Sequence, residues 1–318
     1  MSNLSLYHYQ YKVIQDVPEY QNFVYQLNLV SIFPLLQLLY TLPCFVILLK
    51  ILYFYITRQG TIKKTTIDRE IFHLFLLMQL SNTFLIVVDF IMFRVAVTGV
   101  VTRFCATVNP QYLIKTMVFL FYYGFYTSQL FTLLFCGTRV AIMYAIKPKK
   151  MIKFLLFGVI LLGCLLGIPH FLSEGVCVQL YEPLPFGSVF ISSRFQWSNY
   201  KQIAFGNFIF NASITASIIV LNYLMMRKIH QRQLLNVPRI SRLNSKIENT
   251  LTGTMIILVV PLLMNLMVAL GELFQVNFFA YLLLCRSLVL DARVHIDTCY
   301  FYFTHPVFQK KRSEITRL

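Results

Sequence analysis

Seven stretches of this chain are apolar enough and long enough to cross a lipid bilayer, which leaves few folds open to it. A hydrocarbon layer about 30 Å thick takes roughly 20 helical residues at a rise of 1.5 Å each. The candidate crossings are 27–56, 71–93, 112–142, 152–171, 203–226, 250–271 and, interrupted by charges, 282–308. Backbone amides find no water in lipid, so each span must close its own hydrogen bonds as a helix. The expected fold class is an all-α membrane protein, a seven-helix transmembrane bundle over 27–308. Residues 1–26 would form a polar outer tail and 309–318 a short basic inner one. No internal repeat or Gly/Ser linker divides the chain.

The loops carry charge on one side. Alternate connections hold Arg58, Lys63, Lys64 and Arg69, then Arg139, Lys147, Lys149, Lys150 and Lys153, then Arg227, Lys228, Arg232, Arg239, Arg242 and Lys246, then Lys310, Lys311, Arg312 and Arg317. The others hold only Lys12, Arg94, Arg103, Arg194 and Lys201. Short basic loops stay on the cytoplasmic side, so the N-terminus is expected outside and the C-terminus inside. The hydrophobic share of 58% and charged share of 13% exclude a soluble domain of this length. The net charge of +16 sits in short membrane-edge loops rather than one patch, which argues for inner-leaflet lipid and an acidic cytoplasmic protein and against nucleic acid. No cleavable signal is visible in the first 26 residues, so the first crossing is expected to act as the signal anchor.

Of the seven cysteines, Cys44, Cys136, Cys164, Cys285 and Cys299 lie in apolar spans, where a thiol behaves as a small hydrophobe. Cys105 and Cys177 fall in outer loops, and an oxidising exterior favours a disulfide between them over two free thiols. Asn3 opens a glycosylation sequon in the outer tail; Asn211 opens a second, but inside the fifth crossing.

Polar residues within the spans mark the inward faces. Lys115 and Arg139 are 24 residues apart, about 36 Å of helix, so they bracket the third crossing. Between them Phe119, Tyr122, Tyr126, Gln129, Leu133 and Cys136 recur at helical spacing on one face. Tyr122 and Tyr126 either line a ligand pocket or bond between helices, and Lys115 is expected to snorkel. Asn207 and Asn211 on the fifth crossing and Asn265 on the sixth should also face inward, because an uncompensated amide in lipid is costly. Together they suggest a ligand cavity between the third, fifth and sixth helices. Pro261 denies the carbonyl of Ile257 its helical partner and should kink the sixth helix, as a hinge or a static bend. In the last span Asp291, Arg293, His295 and Asp297 would form an intramembrane polar network, Asp291 with His295 and Arg293 with Asp297 at i,i+4 spacing, with Arg286 nearer the outer surface.

The plan as a whole resembles a G-protein-coupled receptor. Pro18-Glu19-Tyr20, residues 98–110 (TGVVTRFCATVNP), 175–180 (GVCVQL) followed by Pro185-Phe186-Gly187, and 302–308 (YFTHPVF) are similar to nematode serpentine chemoreceptors, class U (Sru) of the Srg superfamily. The resemblance implies a plasma-membrane chemosensory receptor, of a sensory neuron, that binds a small, mostly apolar molecule in an outer cavity and shifts the sixth helix to engage a heterotrimeric G protein, with Arg139 at the coupling end. Thr138-Arg139-Val140 lacks the acidic neighbour of rhodopsin-like receptors, and Thr304-His305-Pro306 stands where an Asn-Pro motif would be. A rhodopsin-type activation lock is therefore not implied. A receptor oligomer is a further partner that the sequence leaves open. A transporter would call for midplane charges with an internal repeat, and a seven-helix ligand-gated channel for the reverse orientation. His8, His73, His170, His230, His295 and His305 are dispersed with no metal-ligand spacing, so neither catalysis, a metal nor a cofactor is expected.

Overall fold

The computed structural model describes residues 12–57, 69–107, 111–144, 149–180, 184–194, 200–234, 252–274, 279–305 and 308. Asn3, the inner-loop bases Arg58, Lys63, Lys64, Lys147, Arg239, Arg242 and Lys246, and the tail 309–318 lie outside them.

A short strand β1 (Lys12–Val13) and a single helical turn α1 (Pro18–Gln21) precede the first long helix, α2 (Leu29–Thr57). The second, α3 (Arg69–Asp89), runs directly into a π-helical turn, Phe90–Val95. A short helix α4 (Thr102–Thr107) caps the loop before the third long helix, α5 (Gln111–Met143). Then follow α6 (Lys149–Leu172), the strands β2 (Glu174–Gln179) and β3 (Val189–Arg194), α7 (Tyr200–Leu234), α8 (Val259–Phe274) and α9 (Phe279–Thr304). Among the described residues six spans are long and apolar enough to cross a membrane: Leu29–Thr57, Glu70–Val95, Tyr112–Met143, Ile152–Leu172, Gln202–Gln231 and Thr252–Phe274. The helix α9 has the length but carries Arg286, Asp291, Arg293 and Asp297. Most of those side chains are buried against the bundle, which removes the objection that lipid would otherwise raise.

The fifth helix is longer than its apolar run. Arg227 and Lys228, expected in a loop, stand on α7, which carries on to Leu234. Nothing breaks the helix there, and cations near a helix C-terminus are favourable. The sixth span is interrupted at Leu258, one turn before Pro261, where the proline ring crowds the preceding turn.

The helices α3 and α5 are central, each with 61% of its apolar window buried, whereas α2 and α6 are peripheral at 17%. The two largest cores lie toward opposite ends. At the Met143 end of α5, Phe72, Phe75, Phe135 and Phe301 pack with Leu258 and Leu262, Phe75 and Phe301 stacking at 4.1 Å between ring centroids. At the Ile114 end, Ile14, Tyr20, Met92, Val118 and Val189 enclose Cys105 and Cys177.

That second core contains a small antiparallel sheet that an all-helical reading does not anticipate, in the order β1-β2-β3. In it Lys12 is paired with Gln179, and Val178 with Phe190. Alternation in the hairpin sends Val176 and Val178 to one face and Cys177 to the other. The N-terminal segment is thus built into the fold: Ile14 and Tyr20 are buried, and Tyr20 stacks on Phe186 at 4.7 Å.

Gly187 makes the junction. Its φ is +90°, and a Cβ built there would collide with the ring of Phe23. Its amide donates to Gln179 Oε1 at 3.0 Å, and its carbonyl accepts from Thr102 Oγ1. Gly187→Ala is therefore expected to cost about 1–3 kcal/mol through left-handed backbone strain and displacement of Phe23. Thermal unfolding of the purified protein checks this, and an unshifted melt would mean that the turn relaxes freely.

Candidate functional site

Beneath the hairpin lies a cavity of about 390 Å³. Its roof is Val176, Val178, Phe190 and Ser192; its walls include Phe93 of the π-helical turn, Phe121 and Tyr122 of α5, Val268 of α8, and Phe279 and Leu283 of α9. The roof is fastened by a disulfide between Cys105 at α4 and Cys177 at the middle of β2, with Cα atoms 6.0 Å apart. One strand therefore carries both the apolar ceiling and, on its other face, the tether.

One polar wall interrupts this apolar lining. Asp89 and Arg286 both border the cavity, and Arg286 Nη2 donates to Asp89 Oδ1 at 2.7 Å. Asp89 also accepts from Arg94 Nε at 3.1 Å and from Ser287 Oγ at 3.3 Å. Arg94 then grips Asp291 with both terminal nitrogens, at 2.7 and 2.8 Å. Asp291 in turn accepts from Tyr40 of α2 at 2.6 Å. The result is a linear chain, Arg286–Asp89–Arg94–Asp291–Tyr40, in which two carboxylates and two guanidiniums alternate. Its net charge is zero, which is what allows it to sit within the bundle. Bidentate Arg–carboxylate pairing fixes orientation as well as energy. The chain joins three helices that are distant in sequence: α2, the end of the second span, and α9.

These positions differ from the sequence expectation. Arg94 was counted among outer-loop bases, but the π-helical turn buries it to 2% exposure. Asp89 was not singled out at all, since one acid near the end of an apolar run gives no periodic signal. The i,i+4 pairs expected along the last helix interact electrostatically, but the hydrogen bonds of these side chains run elsewhere. Asp291 turns to Arg94 across the bundle, His295 Nε2 lies 3.3 Å from Thr41 Oγ1, and Arg293 donates to Thr132 Oγ1 of α5. Neither carboxylate oxygen of Asp297 accepts a hydrogen bond among the described residues.

The expected ligand residues fall into a recess beside the main cavity. Tyr122, Asn207, Asn211 and Asn265 line a space of about 50 Å³ together with Glu272 and Arg286. Tyr126 stands behind it, its hydroxyl donating to Asn207 Oδ1 at 2.7 Å, and Gln129 Nε2 donates to Asn211 Oδ1 at 2.9 Å. The larger cavity is thus bounded by the second, third, sixth and seventh helices and the hairpin, with only Tyr122 shared from the five candidates. Arg139 is buried at the opposite end of α5, one turn from Cys136. No group of three or more His, Cys, Asp or Glu side chains suited to a metal occurs among the described residues.

A long-helix bundle with a disulfide-tethered hairpin does not by itself decide the family. The family is decided by the sequence pattern over the whole bundle: the model of the serpentine type 7TM GPCR chemoreceptor Sru matches residues 14–311. The chain belongs to the Sru family. No curated relative matches it at a significant level. As an Sru chemoreceptor it is a multi-pass membrane protein of a non-enzymatic class, and the match includes strands β2 and β3 and the ion-pair chain. The seventh span of this Sru protein is accordingly α9, despite its charges.

Proposed function

We propose that this Sru protein is a G-protein-coupled chemosensory receptor at the plasma membrane of a sensory neuron, with its N-terminus outside and C-terminus in the cytoplasm. A small, largely apolar molecule enters the cavity under the hairpin, and the receptor answers by a movement of the sixth helix that engages a heterotrimeric G protein.

The observation that supports this reading best is that a largely apolar cavity shares a wall with a buried ion-pair chain crossing three helices. A ligand can shift a conformational equilibrium only if it contacts the two states differently. Here an occupant of the cavity touches Asp89 and Arg286 directly, so it acts on contacts that hold α2, α3 and α9 in register. The sidedness rests on the basic loops: removing buried Arg94 from the outer count leaves four bases there, which sharpens the asymmetry. The interruption at Leu258 before Pro261 supplies a place for the sixth helix to bend. Arg139, at the cytoplasmic end of the central helix, is the candidate coupling residue. An ion-conducting or transporting role has less support, since the charged groups pair into a neutral chain instead of lining a path.

The test is G-protein activation in cells expressing the full-length chain and challenged with a panel of small volatile alcohols, ketones and acids. Arg139→Ala is expected to lower agonist-evoked activation by about tenfold or more at equal surface level. Undiminished activation in that variant removes Arg139 from coupling. Agonist-dependent current that persists with no G protein present would point to a channel instead.

A further inference from the structure

We infer that the recess beside the main cavity is a head-group subsite, and that the receptor takes an uncharged ligand with an apolar body and one small oxygen function, an alcohol or a carbonyl. This rests on the cavity being the ligand site, as proposed above.

Two side chains that line the recess have hydrogen-bonding capacity left unused among the described residues. Asn265 is 3% exposed, and neither its amide nitrogen nor its oxygen has a partner among the described residues. Arg286 uses Nη2 on Asp89, while its Nε finds no acceptor among the described residues. Its guanidinium lies 5.0 Å over the ring of Phe121, which also lines the recess. A buried amide left unbonded costs about 1–3 kcal/mol, which a ligand hydroxyl or carbonyl would recover. The recess, at about 50 Å³, admits such a group but not a long polar chain. The side chains leading up to it are mostly apolar, Phe93, Val176, Val178, Phe190 and Val268 among them.

Charge balance selects a neutral molecule. The described charges bordering the two spaces are Asp89, Glu272, Arg286 and Arg194, two of each sign. Asp89 and Arg286 already neutralise each other at 2.7 Å. A carboxylate or an ammonium would enter with one charge in excess, and desolvating an unmatched charge is far more costly than desolvating a hydroxyl. An alkane would avoid that cost but leave Asn265 unbonded.

The experiment uses the full-length receptor in lipid nanodiscs and compares octanol and octanal with octane, octanoate and octylamine by ligand-induced thermal stabilisation. Octanol or octanal should bind about tenfold more tightly than octane, the equivalent of one recovered hydrogen bond, and more tightly than either ion. Asn265→Leu and Arg286→Met should each bring the octanol-to-octane ratio toward one. Because this ratio is measured within a single variant, a general loss of stability does not imitate it. Tightest binding by octanoate or octylamine, a ratio unchanged in both variants, or no binding by any of the five probes would overturn the inference. G-protein activation is read in parallel. Binding with the expected preference but without activation leaves the head-group subsite standing and removes signalling from the proposed function; activation by probes that show no preference does the reverse.

Discussion

Arg94→Leu is expected to destabilise the receptor by about 3–5 kcal/mol, because it strands the buried carboxylate of Asp291 and takes one of two guanidiniums from Asp89. Arg94 is the only link between Asp89 and Asp291 in the described chain, contacting the first at 3.1 Å and the second at 2.7 Å. Asp89 would keep Arg286 and Ser287, but Asp291 would be left with the hydroxyl of Tyr40 and a charge that this single donor cannot balance. The lysine variant separates charge from shape: an ammonium restores the charge but cannot grip Asp291 with two nitrogens while reaching Asp89. It should therefore fall between leucine and wild type. Adding Asp291→Asn to Arg94→Leu removes the stranded charge and should recover part of the loss, a non-additivity expected of residues in contact. Melting of the solubilised receptor gives the readout. A leucine variant within about 2 °C of wild type, less than about 1 kcal/mol for a chain of this size, would show that the ion-pair chain does not hold the bundle.

Cys177→Ser should release the roof of the cavity while leaving the opposite end intact. The bond closes a separation of 72 residues, for which chain entropy alone gives about 4 kcal/mol against a free chain. The intervening helices already restrain that loop, so the loss should appear locally, in the hairpin and in the β1 segment paired to it. Hydrogen exchange is the direct measure. Amides of β2 and β3 should lose protection, whereas those around Phe75, Phe135 and Phe301 should keep it. Cys105→Ser should reproduce the effect, and the double variant should add nothing. Ligand affinity should fall with hairpin protection, since Val176, Val178 and Phe190 are roof residues. Equal hairpin protection in the single variant and in wild type would mean that strand pairing and the Gly187 junction hold the roof without the sulfur bridge.

The helical spans could be read from the chain with little error because hydrophobic length is a local property. The ends moved by a few residues where a helix outlasts its apolar run, as α7 does through Arg227 and Lys228. The polar residues were harder. Tyr126, Asn207, Asn211 and Asn265 could be placed on inward faces by spacing, since an amide facing lipid is penalised whatever its neighbours are. Their division between mutual bonding and open recess could not, because that depends on which helices stand opposite. Arg94 shows the same limit more sharply. A lone arginine at the end of an apolar run reads as a loop residue, and only a π-helical turn that sets it between Asp89 of its own span and Asp291 of the last helix makes burial tolerable. The N-terminal strand left no signal either, for two residues pair only where an edge is presented to them.

What the amino-acid sequence determined by itself was the class of solvent, the number of crossings, the family, and which residue types had to turn away from lipid. These follow from transfer free energies summed along single helices and from a pattern running nearly the full chain. The tertiary structure decided which charges meet, where the cavity lies, and what closes it. Asp89, Arg94, Arg286 and Asp291 are 197 residues apart across the ion-pair contacts of α3 with α9, so their neutrality is a property of the folded bundle and of no segment within it.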